Sequence, residues 1–311
     1  MESNISSNSG YLTLQPLGLT PSSTLPSFIF SLLTYCITIC CNLSVFLTII
    51  CNRTLHKPMF WLLLNLPVCD VLGATAFFPQ LIVSMLHQTR VISYSACVLQ
   101  AYFIHSCGGA SLLTLTAMAY DRYIAICYPL SYNTIMTTSK VIILTSAVWL
   151  SDLGFMGILL ILFARFKICR TNIVDSYCNN PSLLKLVCED ITINDYYGRV
   201  GIFYFQGFTF LAVVFTYIKI LIACSFNKQA RAKALQTCVV HVIVFMLLQF
   251  MVVITLILHR MKNISSQARR ILGVSILIFP PLLNPLIYGF VMKDIREKNV
   301  IYKFKKKKVS F

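Results

Sequence analysis

Residues 118–127 read MAYDRYIAIC, the most informative stretch of the sequence. It closes a long apolar segment that begins near residue 98, so Asp121 and Arg122 would lie at one end of a membrane-spanning helix. Charged side chains at such a place raise the free energy unless they pair or face protein, and for that reason they are usually functional. The stretch therefore predicts a membrane helix that ends in a functional pair of opposite charges.

The composition is that of a membrane protein. Hydrophobic residues make up 57% of the 311 residues and charged residues 12%, whereas soluble domains carry about 25% charged residues. The formal net charge of +16 would suggest nucleic-acid binding in a soluble chain. Because cytosolic loops of membrane proteins accumulate Lys and Arg, the charge indicates a membrane protein, and no nucleic-acid partner is expected.

Seven apolar segments are each long enough to cross about 30 Å of hydrocarbon as a helix. A transmembrane barrel would show shorter segments of alternating polarity. We therefore predict an all-α membrane protein, a bundle of seven transmembrane helices in which interior prolines bend some helices. The predicted spans are about 26–50, 59–82, 98–123, 140–163, 196–224, 236–259 and 271–290. They divide the chain into an N-terminal part (1–25), a transmembrane domain (26–290) and a polybasic tail (291–311).

The distribution of basic residues predicts the orientation. With the N-terminus outside, sixteen of the 26 Lys and Arg fall on the cytosolic side, which favours an extracellular N-terminus and a cytosolic C-terminus. Residues 1–25 show no basic start followed by a short apolar run, so we expect the first span to direct insertion. Asn4 then begins a glycosylation sequon on the outside. The tail is expected to form a short amphipathic helix and a polybasic stretch that anionic lipids attract.

Motifs along almost the whole chain resemble those of odorant receptors, a branch of the rhodopsin-like G-protein-coupled receptors. The string that opens the sixth segment is not general to rhodopsin-like receptors and narrows the resemblance. Gln249 departs from the pattern, because odorant receptors commonly carry a tyrosine there. The strings that carry the resemblance are LHKPMF (55–60), MAYDRYIAIC (118–127), KALQTCVVH (233–241) and NPLIY (284–288), together with Trp149 and Tyr217.

The resemblance implies a multi-pass receptor of the plasma membrane. It would bind a small-molecule odorant and activate a heterotrimeric G protein of the stimulatory, cyclic-AMP type. No enzymatic activity is expected, because the sequence contains no nucleotide loop, metal-ligand cluster or catalytic triad. The residues implied to carry activation and coupling are Asp121, Arg122, Tyr123, Tyr217, Asn284, Pro285 and Tyr288.

The ligand site is expected in the outer half of the bundle. Five residues of the third segment follow an i, i+3, i+4, i+7, i+8 spacing and therefore share a face: Ala101, Ile104, His105, Gly108 and Gly109. The glycines leave volume, and the histidine offers a donor and an acceptor. By resemblance the other walls are Ile202, Phe205, Val252, Leu256 and Val274. The alternative is ordinary packing, in which small residues let helices approach closely. A metal held by His105 and Cys107 is not expected, because an i, i+2 pair points to different faces.

Four of the 13 cysteines fall on the predicted outer side. Cys97 starts the third span, and Cys169, Cys178 and Cys188 lie in the loop 164–195. Disulfides persist on the oxidising side of the membrane, but four cysteines allow three pairings, which the sequence alone leaves open. The resemblance implies Cys97 with Cys178, and Cys169 with Cys188.

Asp70 lies midway along the second predicted span. A carboxylate at that depth needs a partner, a water-filled cavity or an ion. The expected partners are Asn42, Ser111 and Asn284. The resemblance implies a sodium ion there, although many odorant receptors have a glutamate where Ser111 stands. The alternative is a protonated, hydrogen-bonded Asp70 with a structural role.

Other membrane functions fit the sequence less well. A transporter would usually show inverted repeats and broken helices, and a channel would need pore-lining residues, which nothing in the sequence specifies. A rhodopsin-like receptor for a non-odorant ligand is the nearest alternative. Amine receptors usually place an aspartate where this chain has Ile104, so an amine held at that position is not expected.

Overall fold

The computed structural model describes residues 10–18, 21–226, 228–260 and 265–298. Asn4 and the tail 299–311 lie outside the described residues. The helices are α1 (Pro21–Cys51), α2 (Pro58–Leu63), α3 (Asn65–Leu86), α4 (Tyr94–Cys127), α5 (Tyr132–Ile135), α6 (Thr138–Ala164), α7 (Asn180–Leu184), α8 (Thr192–Ile202), α9 (Thr209–Phe226), α10 (Lys228–Arg260), α11 (Ser266–Val291) and α12 (Lys293–Lys298). A π-helical turn (Phe203–Phe208) joins α8 to α9.

Within the described part, seven helical segments are long and apolar enough to cross a membrane. In chain order the spans are α1, α2 with α3, α4, α6, α8 with α9, α10 and α11. The predicted seven-helix bundle is therefore confirmed, with ends that differ by a few residues; the first helix, for example, begins at Pro21 instead of near residue 26. The amphipathic helix predicted after the last span is α12, whose Ile295 is buried against the bundle.

Prolines interrupt the hydrogen bonding of the second and seventh spans near the site. The second span breaks after Leu63, the residue four before Pro67, because the proline ring crowds that carbonyl and supplies no N–H to it. In the seventh span Pro285 likewise leaves the carbonyl of Pro281 without its helical donor. The Asn42 side chain of the first span donates to that carbonyl at 2.9 Å. A backbone gap created by proline thus becomes a contact between two spans.

The π-helical turn has a similar effect in the fifth span. A wider turn alters the backbone pairing, and the carbonyl of Gln206 accepts a hydrogen bond from Gln249 Nε2 at 2.9 Å. The residue at which the sequence departs from the odorant-receptor pattern therefore joins the sixth span to the fifth. The π-helical turn was not predicted from the sequence.

The third span is the centre of the bundle. It packs against the second, fourth, fifth and sixth spans, and it is the most buried of the seven. Trp149 of the fourth span donates from Nε1 to Asn65 Oδ1 of the second at 2.8 Å. Site residues on the third span therefore lie at the centre of the bundle.

Loops and a short sheet cover one end of the bundle. β1 (Tyr11–Thr13) pairs antiparallel with β2 (Val91–Ser93), with Tyr11 opposite Ser93. Cys97 is bonded to Cys178 and Cys169 to Cys188, with Cα–Cα distances of 5.3 and 6.0 Å. These are the two pairings that the resemblance implied. We call this the disulfide end, and the opposite end, where the third span finishes, the Asp121 end.

Candidate functional site

A cavity of about 530 Å³ opens at the disulfide end, enclosed by the second to seventh spans and the covering loop. Its size and mostly apolar wall are typical of a site for a small molecule. Eight of the ten residues predicted to bind a ligand line it, namely Ile104, His105, Gly108, Gly109, Ile202, Phe205, Val252 and Leu256.

The other two predicted residues lie outside this cavity. Ala101 is buried and lines a separate void of about 30 Å³ between the third and fourth spans. Val274 is buried in an apolar cluster with Phe77, Phe78 and Tyr177. Helical spacing placed Ala101 on the correct face of the third span, but the covering loop ends the cavity one turn before that residue is reached.

The roof of the cavity is the loop between the fourth and fifth spans. Tyr177, Asn180, Pro181 and Leu184 all line the cavity. The backbone N–H of Asn180 donates to His105 Nε2 at 3.1 Å. Because Nε2 accepts this bond, the neutral ring carries its proton on Nδ1. The loop thus fixes the orientation of the one histidine on the cavity wall.

A buried carboxylate holds the roof in place. Asp175 accepts from Asn179 Nδ2 at 2.9 Å and from the Ser182 hydroxyl, and Arg269 Nε lies 3.8 Å from its other oxygen. Burial, and then this carboxylate, raise the pKa of Tyr177 above its ordinary value. The Tyr177 hydroxyl therefore stays neutral at the edge of the cavity.

The floor of the cavity contains the acid predicted to lie within the second span. Asp70, Ser111 and Asn284 all line the cavity, and Asn284 Nδ2 lies 3.2 and 3.1 Å from the two Asp70 oxygens. The third expected partner, Asn42, donates instead to the carbonyls of Thr38 and Pro281. The candidate ion site is therefore continuous with the candidate ligand site.

A second cluster lies at the Asp121 end. The Asp121 side chain is fully buried and is paired with Arg122, whose Nε is 3.0 Å from Oδ2. The other carboxylate oxygen, Oδ1, accepts from the Tyr132 hydroxyl at 2.7 Å. Burial and the neighbouring carboxylate raise the pKa of Tyr132, so its hydroxyl remains a donor. The expected charge pair is thus formed, and α5 adds a tyrosine that the sequence analysis had not singled out.

The remaining predicted coupling residues lie on the third, fifth and seventh spans. The Tyr217 hydroxyl of the fifth span lies 2.7 Å from His241 Nδ1 of the sixth. Tyr123 packs against the apolar cluster that includes Ile220 and lies 3.4 Å from Tyr128 through their hydroxyls. Tyr288 is buried with no hydrogen-bond partner on its hydroxyl. Pro285 lies within the helix of the seventh span, one turn before Tyr288.

Sequence reasoning overlooked a carboxyl group in the middle of the fourth span. Asp152 lies within the fourth span and is fully buried. The argument that singled out Asp70, a carboxylate in the middle of an apolar segment, applies equally to Asp152. Aromatic residues near it, such as Phe155, carried no comparable signal, because aromatic side chains are common throughout this sequence.

Comparison with known proteins assigns this geometry to a class. The fold is similar to that of the crystal structure of squid rhodopsin, with a TM-score of 0.74 at 16% sequence identity, covering 92% of this chain and 88% of that chain. The chain therefore shares the seven-helix fold of squid rhodopsin.

The sequence comparisons identify the family within that class. A family model described as olfactory receptor matches residues 30–307. Human olfactory receptor 51E1 is 33% identical over 85% of this chain and 84% of its own length, and human olfactory receptor 4D1 is 33% identical over 90% and 91%. Mouse olfactory receptor 4E2 is 32% identical over 91% and 95%. The chain belongs to the olfactory receptor family, a family of signalling receptors and not of enzymes.

Proposed function

We propose that this chain is a ligand-activated receptor of the plasma membrane. A small odorant or chemical cue binds in the cavity at the disulfide end and promotes activation of a heterotrimeric G protein at the Asp121 end. By family resemblance the G protein is of the stimulatory type, which raises cyclic AMP. The observation that carries this proposal is that one central helix lines the cavity at one end and, at the other, carries Arg122 paired with the buried Asp121.

The distance between the cavity and Arg122 limits how a ligand can cause activation. Arg122 comes thirteen positions after Gly109 on the cavity wall, which is about 20 Å along a helix at 1.5 Å per residue. A ligand in the cavity cannot touch Arg122. It acts by binding one arrangement of the helices more tightly than the other and so changing their populations.

The contacts at the Asp121 end indicate which arrangement is the resting one. Asp121 holds Arg122 and Tyr132, and Tyr217 holds His241 of the sixth span. In the active arrangement the Asp121 end of the sixth span moves outward and breaks the Tyr217–His241 bond. Arg122 then leaves Asp121 and donates to the G protein, for which its planar set of donors is suited.

The proposed orientation places the disulfide end outside the cell. Disulfides persist in an oxidising compartment, and sixteen of the 26 Lys and Arg then lie on the cytosolic side. The N-terminus with the Asn4 sequon is extracellular, and the polybasic C-terminal tail is cytosolic against anionic lipids.

A sodium ion near Asp70 is part of the proposal. The donors at the floor of the cavity are a carboxylate and the Ser111 hydroxyl, the hard oxygen ligands that such a cation prefers. The Asn284 amide adds a third oxygen after a half-turn of its side chain. These residues fit the ion, and its charge would stabilise the buried carboxylate. Replacing sodium chloride by potassium chloride at the same ionic strength should lower the thermal stability of the purified receptor, and Asp70→Asn should abolish this difference.

A ligand screen tests the proposed function. Cells that express the chain are challenged with a broad odorant panel while cyclic AMP is recorded, and nucleotide exchange on purified G protein is measured for each active compound. The matched control is His105→Ala, a change on the cavity wall far from Arg122. We expect this variant to alter the potency of an agonist and leave ligand-independent exchange unchanged. Agonists that bind the purified receptor and drive no nucleotide exchange on any G protein would contradict the proposal.

A further inference from the structure

Asp152 lies beside the cavity and has no role in the function proposed above. It belongs to the fourth span, one turn from Met156, which lines the cavity. The side chain is fully buried, and neither carboxylate oxygen has a well-formed hydrogen bond. The Ser106 hydroxyl faces it from the third span. A buried carboxyl group without strong donors is costly, so its presence in the middle of the membrane points to a function.

The carboxyl group lies directly behind the cavity wall. A methyl group added to Gly109 would collide with Asp152 Oδ1 and would lie 2.9 Å from the Phe205 ring. Gly109 and Phe205 both line the cavity. Gly109 and Phe205 are therefore parts of the cavity wall that lie close to this carboxyl group.

The surroundings of the carboxyl group favour a cation. The Phe205 ring makes edge contacts with Phe155 and Tyr204, with centroids 5.4 and 5.0 Å apart. Faces of aromatic rings attract ammonium groups, and a carboxylate forms charge-assisted hydrogen bonds with them.

The charges that line the cavity argue against an anion. Among the described residues of its wall, Arg199 is the one Lys or Arg, and it is paired with Asp195 at 2.8 Å. Both of these side chains are about half exposed at the mouth of the cavity. A carboxylic acid would therefore meet no unpaired cation, whereas the deeper end of the cavity holds Asp70 and borders Asp152.

We propose that the ligand is a small organic amine, bound as its ammonium ion, and that Asp152 is the residue that recognises it. The ammonium N–H groups donate to the Asp152 carboxylate after the Phe205 ring turns aside, and the hydrocarbon part fills the apolar cavity between Ile202 and Val252. This inference rests on the proposed function, because it names the ligand class of the same cavity. The acid at this place differs from the aspartate of amine receptors, whose position is occupied here by Ile104.

Binding can be tested without any G protein. The receptor is purified in lipid nanodiscs, and thermal unfolding is followed by the fluorescence of its two tryptophans. The probes are sets of an amine, an alcohol and a carboxylic acid that share one hydrocarbon skeleton of about six to ten carbons, a size that fits a small-molecule cavity. We expect amines to raise the unfolding midpoint at roughly tenfold lower concentration than the matched alcohols, and acids to have no effect.

Variants identify the residue responsible. Asp152→Asn should raise the amine concentration needed by about tenfold or more and leave the alcohols unchanged, because it removes one charge-assisted hydrogen bond. Asp152→Glu keeps the carboxylate and should keep the preference for amines. The matched control is Asp195→Asn, which removes an acid of the same cavity at its exposed mouth and should also keep the preference.

The proposal is overturned if the wild-type receptor binds amines no better than alcohols, a result that needs no variant to fold. It is equally overturned if Asp152→Asn retains the amine preference, or if Asp195→Asn loses it. Amines that bind through Asp152 and activate no G protein would leave this inference intact and contradict the proposed function. If other compounds activate a G protein through the receptor and amines do not bind, the proposed function stands and the amine inference is contradicted.

Discussion

Tyr132 offers the sharpest test of the resting state at the Asp121 end. Its hydroxyl donates to Asp121 Oδ1 at 2.7 Å, while Arg122 occupies the other carboxylate oxygen. Tyr132→Phe removes this one donor and keeps the ring. If the Asp121 cluster holds the receptor at rest, the change should raise nucleotide exchange in the absence of ligand.

The size of the effect follows from the contact. A hydrogen bond to a charged group contributes about 1.5–3 kcal/mol, and the lower value applies because Tyr132 is only half-buried. Since about 1.4 kcal/mol is a factor of ten in an equilibrium constant, the active fraction should rise roughly tenfold. A receptor that is active about 1% of the time would then be active about 10% of the time.

The assay is ligand-independent nucleotide exchange on the G protein in membranes, normalised to surface expression. Tyr128→Phe is the matched control, because the Tyr128 ring is about half exposed and, among the described residues, its hydroxyl is hydrogen-bonded to that of Tyr123 at 3.4 Å and not to Asp121. The control should behave like the wild type. The thermal stability of the purified, ligand-free receptor should fall for Tyr132→Phe and not for Tyr128→Phe.

Unchanged basal exchange together with unchanged stability would refute the reasoning, because it would mean that the Tyr132 hydroxyl contributes no free energy to the resting state. Lower thermal stability with unchanged basal exchange would show that the two effects of the Tyr132 hydroxyl are independent. The contact would then matter for folding, and the assignment of this cluster to the resting state would be wrong.

Four further predictions concern other parts of the chain. Arg122→Ala should leave ligand binding intact and abolish ligand-driven nucleotide exchange; exchange at wild-type amplitude in a normally expressed variant would exclude the role of this arginine. Cys97→Ser or Cys178→Ser should reduce surface expression, because the roof of the cavity loses its anchor to the third span, and mapping of Cys97 as a free thiol in surface receptor would contradict this. Asn4 should gain glycan in microsomes, and a tag on the C-terminal tail that stains intact cells would reverse the orientation. Gly201→Ala should reduce the thermal stability of the receptor, since the new methyl would lie 2.6 Å from the Phe155 ring; a variant as stable as Gly198→Ala, where the structure leaves open space, would show that the ring yields without cost.

The number and order of the spans could be predicted from the sequence, because a bilayer imposes a simple requirement. Every backbone polar group in hydrocarbon must be satisfied within the helix, and about 20 apolar residues are needed to cross. Short sequence motifs predicted part of the site. The motif MAYDRYIAIC placed Asp121 and Arg122 at the end of the third span, and the structure pairs them there. Helical spacing likewise placed His105 and Gly109 on one face, and both line the cavity.

Contacts between spans depend on distances that no local pattern contains. The sequence predicts that Pro285 leaves one helical carbonyl without its donor. Only the packing of the first span against the seventh shows that Asn42 donates to this carbonyl and is therefore not a partner of Asp70. Val274 was expected on the cavity wall, but in the structure it is buried in an apolar cluster with Phe77 and Tyr177.

Asp152 shows the same division most clearly. The sequence alone determined that a carboxyl group lies within the fourth span. The packing of the third span against the fourth shows that the glycine opposite it is Gly109, which lines the cavity. This is because the apolar composition of a local segment is enough to place that segment in the membrane. Which side chains contact each other depends instead on close packing between helices that are distant in sequence.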